Sequence, residues 1–266
     1  MTCVLLPHSL QAGAWTQPAR HGQIILTSSL FRTATEFDQF GDPVLFRDAG
    51  RFGHFTLNPY VEYGLTSRNT LVANVSAPWL NYSNRYGKQT SAGLGDIEVA
   101  LKRRINSPES RWAFSGQFTV AFPAYSPTRT PAPGNHQVDL EGRVMAGRGL
   151  TLMHHHAFYD LEAAYRYRNS APADQVRAEA TVGMDATHWL MLMGQFFAIK
   201  GLRNGDPITI TSNPNAQSDF DLYKYQPSMV LSLGHGTRLQ LGWNSAFSGR
   251  NTGSGHAAVL SVWKSF

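Results

Sequence analysis

Residues 159–168 read "YDLEAAYRYR". Tyr159, Leu161, Ala163, Tyr165 and Tyr167 fall on one parity, and Asp160, Glu162, Arg166 and Arg168 on the other. A period of two belongs to a β-strand, whose successive side chains point to opposite faces. A strand with an oily stripe and an ionic stripe needs a different solvent on each side. In a soluble β-sandwich the oily stripe meets a core and the polar stripe meets bulk water. In a transmembrane barrel the oily stripe meets lipid and the polar stripe meets an enclosed, hydrated interior. Here the charges lie in mid-strand and carry both signs, which suits a lumen.

The same rhythm recurs along the chain. "TLVANVSAPWL" (70–80), "GDIEVALKRRI" (95–105), "RWAFSGQFTVAF" (111–122), "QVDLEGRV" (137–144), "QVRAEATVG" (175–183) and "RLQLGWNSAF" (238–247) all alternate. The segments near 23–35 and 189–200 alternate poorly, and their faces stay unassigned. Runs bounded by turn residues number about twelve, many near the ~10 residues with which a tilted strand crosses a bilayer. Every second connection is short: "TSRN" (66–69), "NSPES" (106–110), "DATH" (185–188) and "GHGT" (234–237), with "RGLTLMHHH" (148–156) as a longer exception. The others are long and polar, over 35–51, 81–91, 126–135 and 201–220. An even strand count with short turns at one end and long loops at the other predicts an all-β fold, an antiparallel outer-membrane β-barrel. Both termini would then lie on the periplasmic side.

Aromatic residues support lipid over a soluble core. Tyr63, Trp112 and Trp263 cluster near the short turns, and Trp79, Tyr167, Tyr223 and Tyr225 near the loops, as two interfacial belts would. Closure also removes the open sheet edges that hydrocarbon does not tolerate. The terminal "GHAAVLSVWKSF" (255–266) sets Ala258, Leu260, Val262 and Phe266 on one face, and would close the barrel on the first strand near Gln23. Lys264 falls on that apolar face. At an interface its ammonium snorkels into water, so it is expected to cost only ~0–1 kcal/mol.

Composition excludes several classes. The 266 residues carry a net charge of +5, but only 15% are charged. The longest basic run is Lys102–Arg104, too little for a nucleic-acid partner. No stretch approaches the ~18 apolar residues of a transmembrane helix. The single Cys3 rules out an intrachain disulfide framework. Residues 1–14, "MTCVLLPHSLQAGA", read as the back half of a secretory signal, with cleavage after Ala12 or Ala14, followed by the barrel over 15–266. The missing positive start leaves a cytosolic protein with an apolar N-terminus as the alternative.

"YVEYGLTSRNTL" (60–71), "GLGDIEVALKRRI" (93–105), "YDLEAAYRYR" (159–168) and the closing "VLSVWKSF" resemble the porin-like outer-membrane barrels grouped with the meta-pathway phenol-degradation family, and more closely its XagA-like members. The resemblance covers residues 13–266. It implies a Gram-negative outer-membrane channel for small molecules, aromatic or hydrophobic ones among them. It implies no catalytic residue and no cofactor. It also implies that the barrel-insertion machinery reads the C-terminal strand ending at Phe266; Lys264 departs from that pattern.

The ionic stripes define the candidate lumen set: Glu62, Asp96, Glu98, Lys102, Arg104, Asp139, Glu141, Arg143, Asp160, Glu162, Arg166, Arg168, Arg177, Glu179 and Lys224. Two readings stay open. The charges line a water path and set solute selectivity, or they pair across strands and plug a narrow barrel. Gly13–Gly22 either enters the lumen or trails in the periplasm. "HHH" (154–156) has no carboxylate or Cys nearby, so no metal site is expected. A lipid hydrolase needs Ser beside a His base, and the nearest spacing is His54 with Thr56. "GLGD" (93–96) lacks the phosphate-loop pattern, and "TPAPG" (130–134) is a loop tip. Passive transport is therefore the first expectation. A surface-interaction barrel acting through its loops is the second, and a lipid-modifying enzyme a distant third.

Overall fold

In the computed structural model, which describes residues 13–206 and 218–266, each alternating run becomes a strand paired antiparallel with its neighbours. Twelve staves result: β1 (Gly22–Phe37), β2 (Arg51–Gly64), β3 (Asn69–Val75 and Ala77–Asn84), β4 (Gly87–Ala92 and Asp96–Arg104), β5 (Trp112–Pro123), β6 (Val138–Leu152), β7 (His155–Asn169), β8 (Gln175–Asp185), β9 (Leu190–Gly201), β10 (Asp221–Gly234), β11 (Thr237–Arg250) and β12 (Thr252–Ser265). Breaks at Ser76 and at residues 93–95 divide β3 and β4, and each pair of pieces continues one stave.

The last strand closes on the first, from Gln23↔Ser265 to Phe37↔Thr252. Phe266 exchanges backbone hydrogen bonds with Gly22 at 2.9 and 3.0 Å. The chain ends on an apolar strand because that strand is a stave of a closed wall.

The oily parity faces outward throughout. Phe118, Val144 and Leu161 are 56%, 63% and 53% exposed in mid-strand. A continuous belt of this kind is far larger than the apolar patches soluble monomers show, and lipid is the solvent that suits it. The two ambiguous segments resolve the same way: Ile24, Leu26 and Leu30 of β1 and Leu192 and Phe196 of β9 face out. Lys264 folds back onto the neighbouring turn, donating to His235 O at 2.7 Å and Thr237 Oγ1 at 3.3 Å.

Three expectations change, and one open alternative closes. The stretch 81–91 is not a loop. Ala77–Ser83 pair with Arg51–Leu57 in the wall, and Ala77–Asn84 turn back into Gly87–Ala92 as a hairpin. The 124–137 connection covers its edge, through Ser91 Oγ to Pro131 O at 2.5 Å and Arg129 to Ala92 O at 2.6 Å. The "RGLTLMHHH" link is a two-residue turn, with Met153 and His154 at φ 48° and 69°, so strand pairing consumes most of it. Trp263 belongs to no interfacial belt: it points inward and is 7% exposed. The segment from Gly13 enters the barrel.

Candidate functional site

The inward parity encloses a cavity of about 800 Å³. Ten of the fifteen candidate residues line it: the acids Glu98, Glu141, Asp160, Glu162 and Glu179, and the bases Lys102, Arg143, Arg166, Arg177 and Lys224. The remaining five sit around it. Glu62 is fully buried beneath the cavity. Asp139 lies within 3.8 Å of Arg168 and 3.7 Å of Arg166. Arg104 ties the 105–111 turn, donating to Asn106 Oδ1 at 2.6 Å and Trp112 O at 2.8 Å. Asp96 meets the Tyr125 phenol.

Tyr125 lies in the 124–137 connection. Burial, with the Asp96 carboxylate beside it, pushes its phenol well above the usual range, so it stays protonated and donates to Asp96. Its oxygen accepts the His136 N–H at 2.8 Å, which pins that connection over the loop end.

The cavity wall divides into two arcs. On β4–β8, opposite charges from several strands converge in the interior, and nearly every ion is committed to a partner. Arg143 binds Glu141 and Glu179, each at 2.8 Å, and also Glu162. Arg166 binds Glu98 at 2.7 Å and Glu141 at 2.8 Å, and Arg177 reaches Glu141 at 3.5 Å. Lys102 pairs with Glu62 at 2.6 Å. In an interior of reduced dielectric such charges persist only when paired and hydrogen-bonded.

On β9–β12 and β1 the wall mixes amides and hydroxyls with apolar side chains such as Phe197, Ile199 and Leu222. Gln226 donates to Gln195 Oε1 at 2.9 Å and Asn244 to Gln226 Oε1 at 3.1 Å. Gln240 donates to Ser228 Oγ at 3.0 Å, and Thr27 and Ser261 share a hydrogen bond at 2.8 Å. Among the cavity side chains of this arc, Lys224 alone carries a charge.

The short-turn end is closed by the chain itself. Lys102 Nζ donates to Gly13 O at 2.8 Å, Ala14 N–H to Asp160 at 2.9 Å, and Ser115 Oγ to Ala14 O. Gln17 continues the contact, its backbone N–H to Thr70 Oγ1 at 2.9 Å and its side chain to Glu62 at 2.7 Å. Between them Trp15 meets the edge of Phe158, with ring centroids 6.1 Å apart, and packs on Ala113 and Met145. Gly147 supplies the notch: a Cβ there would come within 2.5 Å of the Trp15 ring. A second apolar layer of Phe158, Met191, Met193, Val230 and Trp263 continues this floor across the barrel. Sequence reading missed it, because "WLMLMG" (189–194) is apolar on both parities and its inward methionines give no period signal.

No three His, Cys, Asp or Glu residues among those described converge to hold a metal, and His154, His155 and His156 are exposed at a turn. One Ser–His contact escaped the spacing argument, because it bridges strands: Ser245 Oγ and His256 Nδ1 lie 2.8 Å apart. The exposed His256 ring stacks on Trp243, on the lipid side. No carboxylate is recorded as its partner among the described residues, so the pair lacks the third group that orients a catalytic base.

No protein-family model matches the chain, and no curated protein matches it. Solved structures do. An outer membrane channel from Pseudomonas putida F1 shares 15% identity over 96% of this chain and 99% of that one, with a TM-score of 0.63. The NanC porin shares 9% over 90% and 98%, at 0.56. The β-domain of the Bordetella autotransporter BrkA shares 10% over 93% and 100%, at 0.52. Identities this low speak to fold alone, and the fold is that of the β-barrels of the bacterial outer membrane.

Proposed function

We propose that this chain is a passive outer-membrane channel for small molecules. The observation that carries the reading is the cavity of about 800 Å³ inside a closed wall, lined by five acids and five bases that largely neutralise one another. Such a lining keeps water inside without trapping ions of either sign. The likeness to an outer membrane channel and to a porin supports the same reading. The floor formed by Gly13–Gln17 makes the periplasmic end the narrow one, so the conductance expected is small. Export on an N-terminal signal cleaved after Ala12, which leaves Gly13 and Ala14 to the floor, insertion through the C-terminal strand, and a place among the XagA-like barrels belong to this proposal. Purified protein reconstituted in planar bilayers should give stepwise conductance. Absence of both conductance and solute uptake in liposomes rejects the channel.

One observation favours a second reading, a surface-interaction barrel. The hairpin of Ala77–Asn84 and Gly87–Ala92 presents Tyr86, 76% exposed, at its tip. Deleting it should abolish a surface phenotype without altering permeability if that reading holds.

A further inference from the structure

We propose that the loop-side half of the lumen holds a binding site for a monoanionic aromatic solute, an arenecarboxylate, with Lys224 as its anion contact. The inference rests on the channel reading above and names a solute class for it.

The ladder sets Phe197 beside Lys224 and Lys224 beside Ala246. All three face the cavity. Lys224 is the charged side chain that the neutral arc contributes, and no carboxylate lies within ion-pair distance of its ammonium among the described residues. Arg177 and Glu179 are the charged groups near enough to act on it. Both are committed elsewhere: Glu179 holds Arg143 at 2.8 Å, and Arg177 is bound to Gln175 at 2.7 Å and lies 3.5 Å from Glu141. The ammonium is thus surrounded by the barrel yet keeps its own charge uncompensated, which favours an anion that enters and neutralises it.

The surroundings select the rest of the solute. The ammonium sits 5.5 Å from the Phe197 ring centroid. Three strands round the wall from Lys224, Phe31 of β1 stacks on His54 of β2, with centroids 5.1 Å apart and planes at 21°. The cluster of Phe46, Phe52 and Leu80 holds Phe31 from behind. His54 is near enough to feel the Lys224 charge. Ala246 and Gly253 keep the wall low between Lys224 and Phe31, and the tip of the Phe31 ring lies over Gly255. One rung toward the floor, Gln195, Gln226 and Asn244 present amides. A flat ring laid on this low wall would lie between Phe197 and Phe31 while its carboxylate meets the ammonium. An aliphatic acid would lose the face contacts, and a neutral arene the charge contact.

The test is calorimetric titration of the full-length, detergent-folded protein with benzoate. Benzamide serves as the neutral isostere and cyclohexanecarboxylate as the non-aromatic anion. Benzoate should bind at least tenfold tighter than benzamide and severalfold tighter than cyclohexanecarboxylate. Lys224→Met should weaken benzoate about tenfold and leave benzamide unchanged, and Lys224→Arg should restore benzoate. Heat-modifiable migration on gels would establish that each variant is folded. Equal affinity for benzoate and benzamide, or unchanged benzoate binding in a folded Lys224→Met protein, overturns the site. Titration needs no ion flow, so conductance without benzoate binding removes this inference alone, and binding without conductance removes only the channel.

Discussion

Trp15→Ala tests whether the N-terminal segment is the floor of the lumen. A Trp buries roughly 150–250 Å² when fully enclosed, and apolar burial contributes about 25 cal/mol per Å². Trp15 is partly buried, so its truncation should cost the seated segment about 2–3 kcal/mol. At 1.4 kcal/mol per tenfold, that shifts the seated-to-released ratio by about two orders of magnitude. The hydrogen bonds from Lys102 to Gly13 O and from Ala14 to Asp160 remain, so the segment should exchange rather than leave permanently. In planar bilayers the variant should show a higher mean conductance, with transitions between a small and a large level. In vesicles it should become cleavable ahead of Gly22 by a protease on the periplasmic side. Released, cleavable segments with wild-type conductance would refute the idea that this segment sets the constriction, and a segment that stays protected would refute the anchoring estimate.

Three further outcomes are expected. Arg166→Gln removes the partner of Glu98 and Glu141 and leaves the lining one charge more negative, so the reversal potential in a KCl gradient should move toward that of K⁺; breaking the pairs should also lower stability by about 3–5 kcal/mol in urea unfolding. Phe118→Lys puts an ammonium on the lipid face in mid-strand and should destabilise the barrel by about 2–4 kcal/mol in vesicles but much less in detergent. Neither the wild type nor Ser245→Ala should release fatty acid from phospholipid or lipopolysaccharide; turnover in the wild type that the substitution abolishes would make the Ser245–His256 contact catalytic.

Much of the wall could be read directly because lipid and lumen impose opposite demands on adjacent residues. "QVDLEGRV" and "YDLEAAYRYR" carry both demands in full, and their charged side chains do face inward. Legibility fails where one solvent replaces the other. Met191 and Met193 face an apolar floor inside the barrel, so their strand is oily on both sides and the alternation vanishes. Trp263 reads as an interfacial anchor by position alone, yet its parity, shared with Ser261 and Ser265, points it inward. The 81–91 stretch carries the turn at residues 85–86 and the exposed edge strand that follows it, and its polar composition alone cannot separate such a hairpin from a loop. The Ser245–His256 contact and the floor at Gly13–Gln17 join residues 11 and up to 146 apart in sequence, and a spacing rule has no access to such pairs.

The division of the lining into a paired ionic arc and a neutral arc bears on which residue governs permeation. A count of charged side chains points to β4–β8, where most of them lie. Those ions, however, satisfy one another: Arg143 faces three carboxylates and Arg166 two at hydrogen-bond distance. A passing solute meets their field largely cancelled, and to bind one of them it must break a short charge-assisted contact. Lys224 has no such contact to break. Its charge is thinly screened by the amides around it, and the aromatic Phe197 stands beside it with Phe31 three strands round the wall. On the channel reading proposed above, the charged arc would serve mainly to hold the barrel open and hydrated, and discrimination among solutes would fall to the side of the lumen that sequence composition makes look least active.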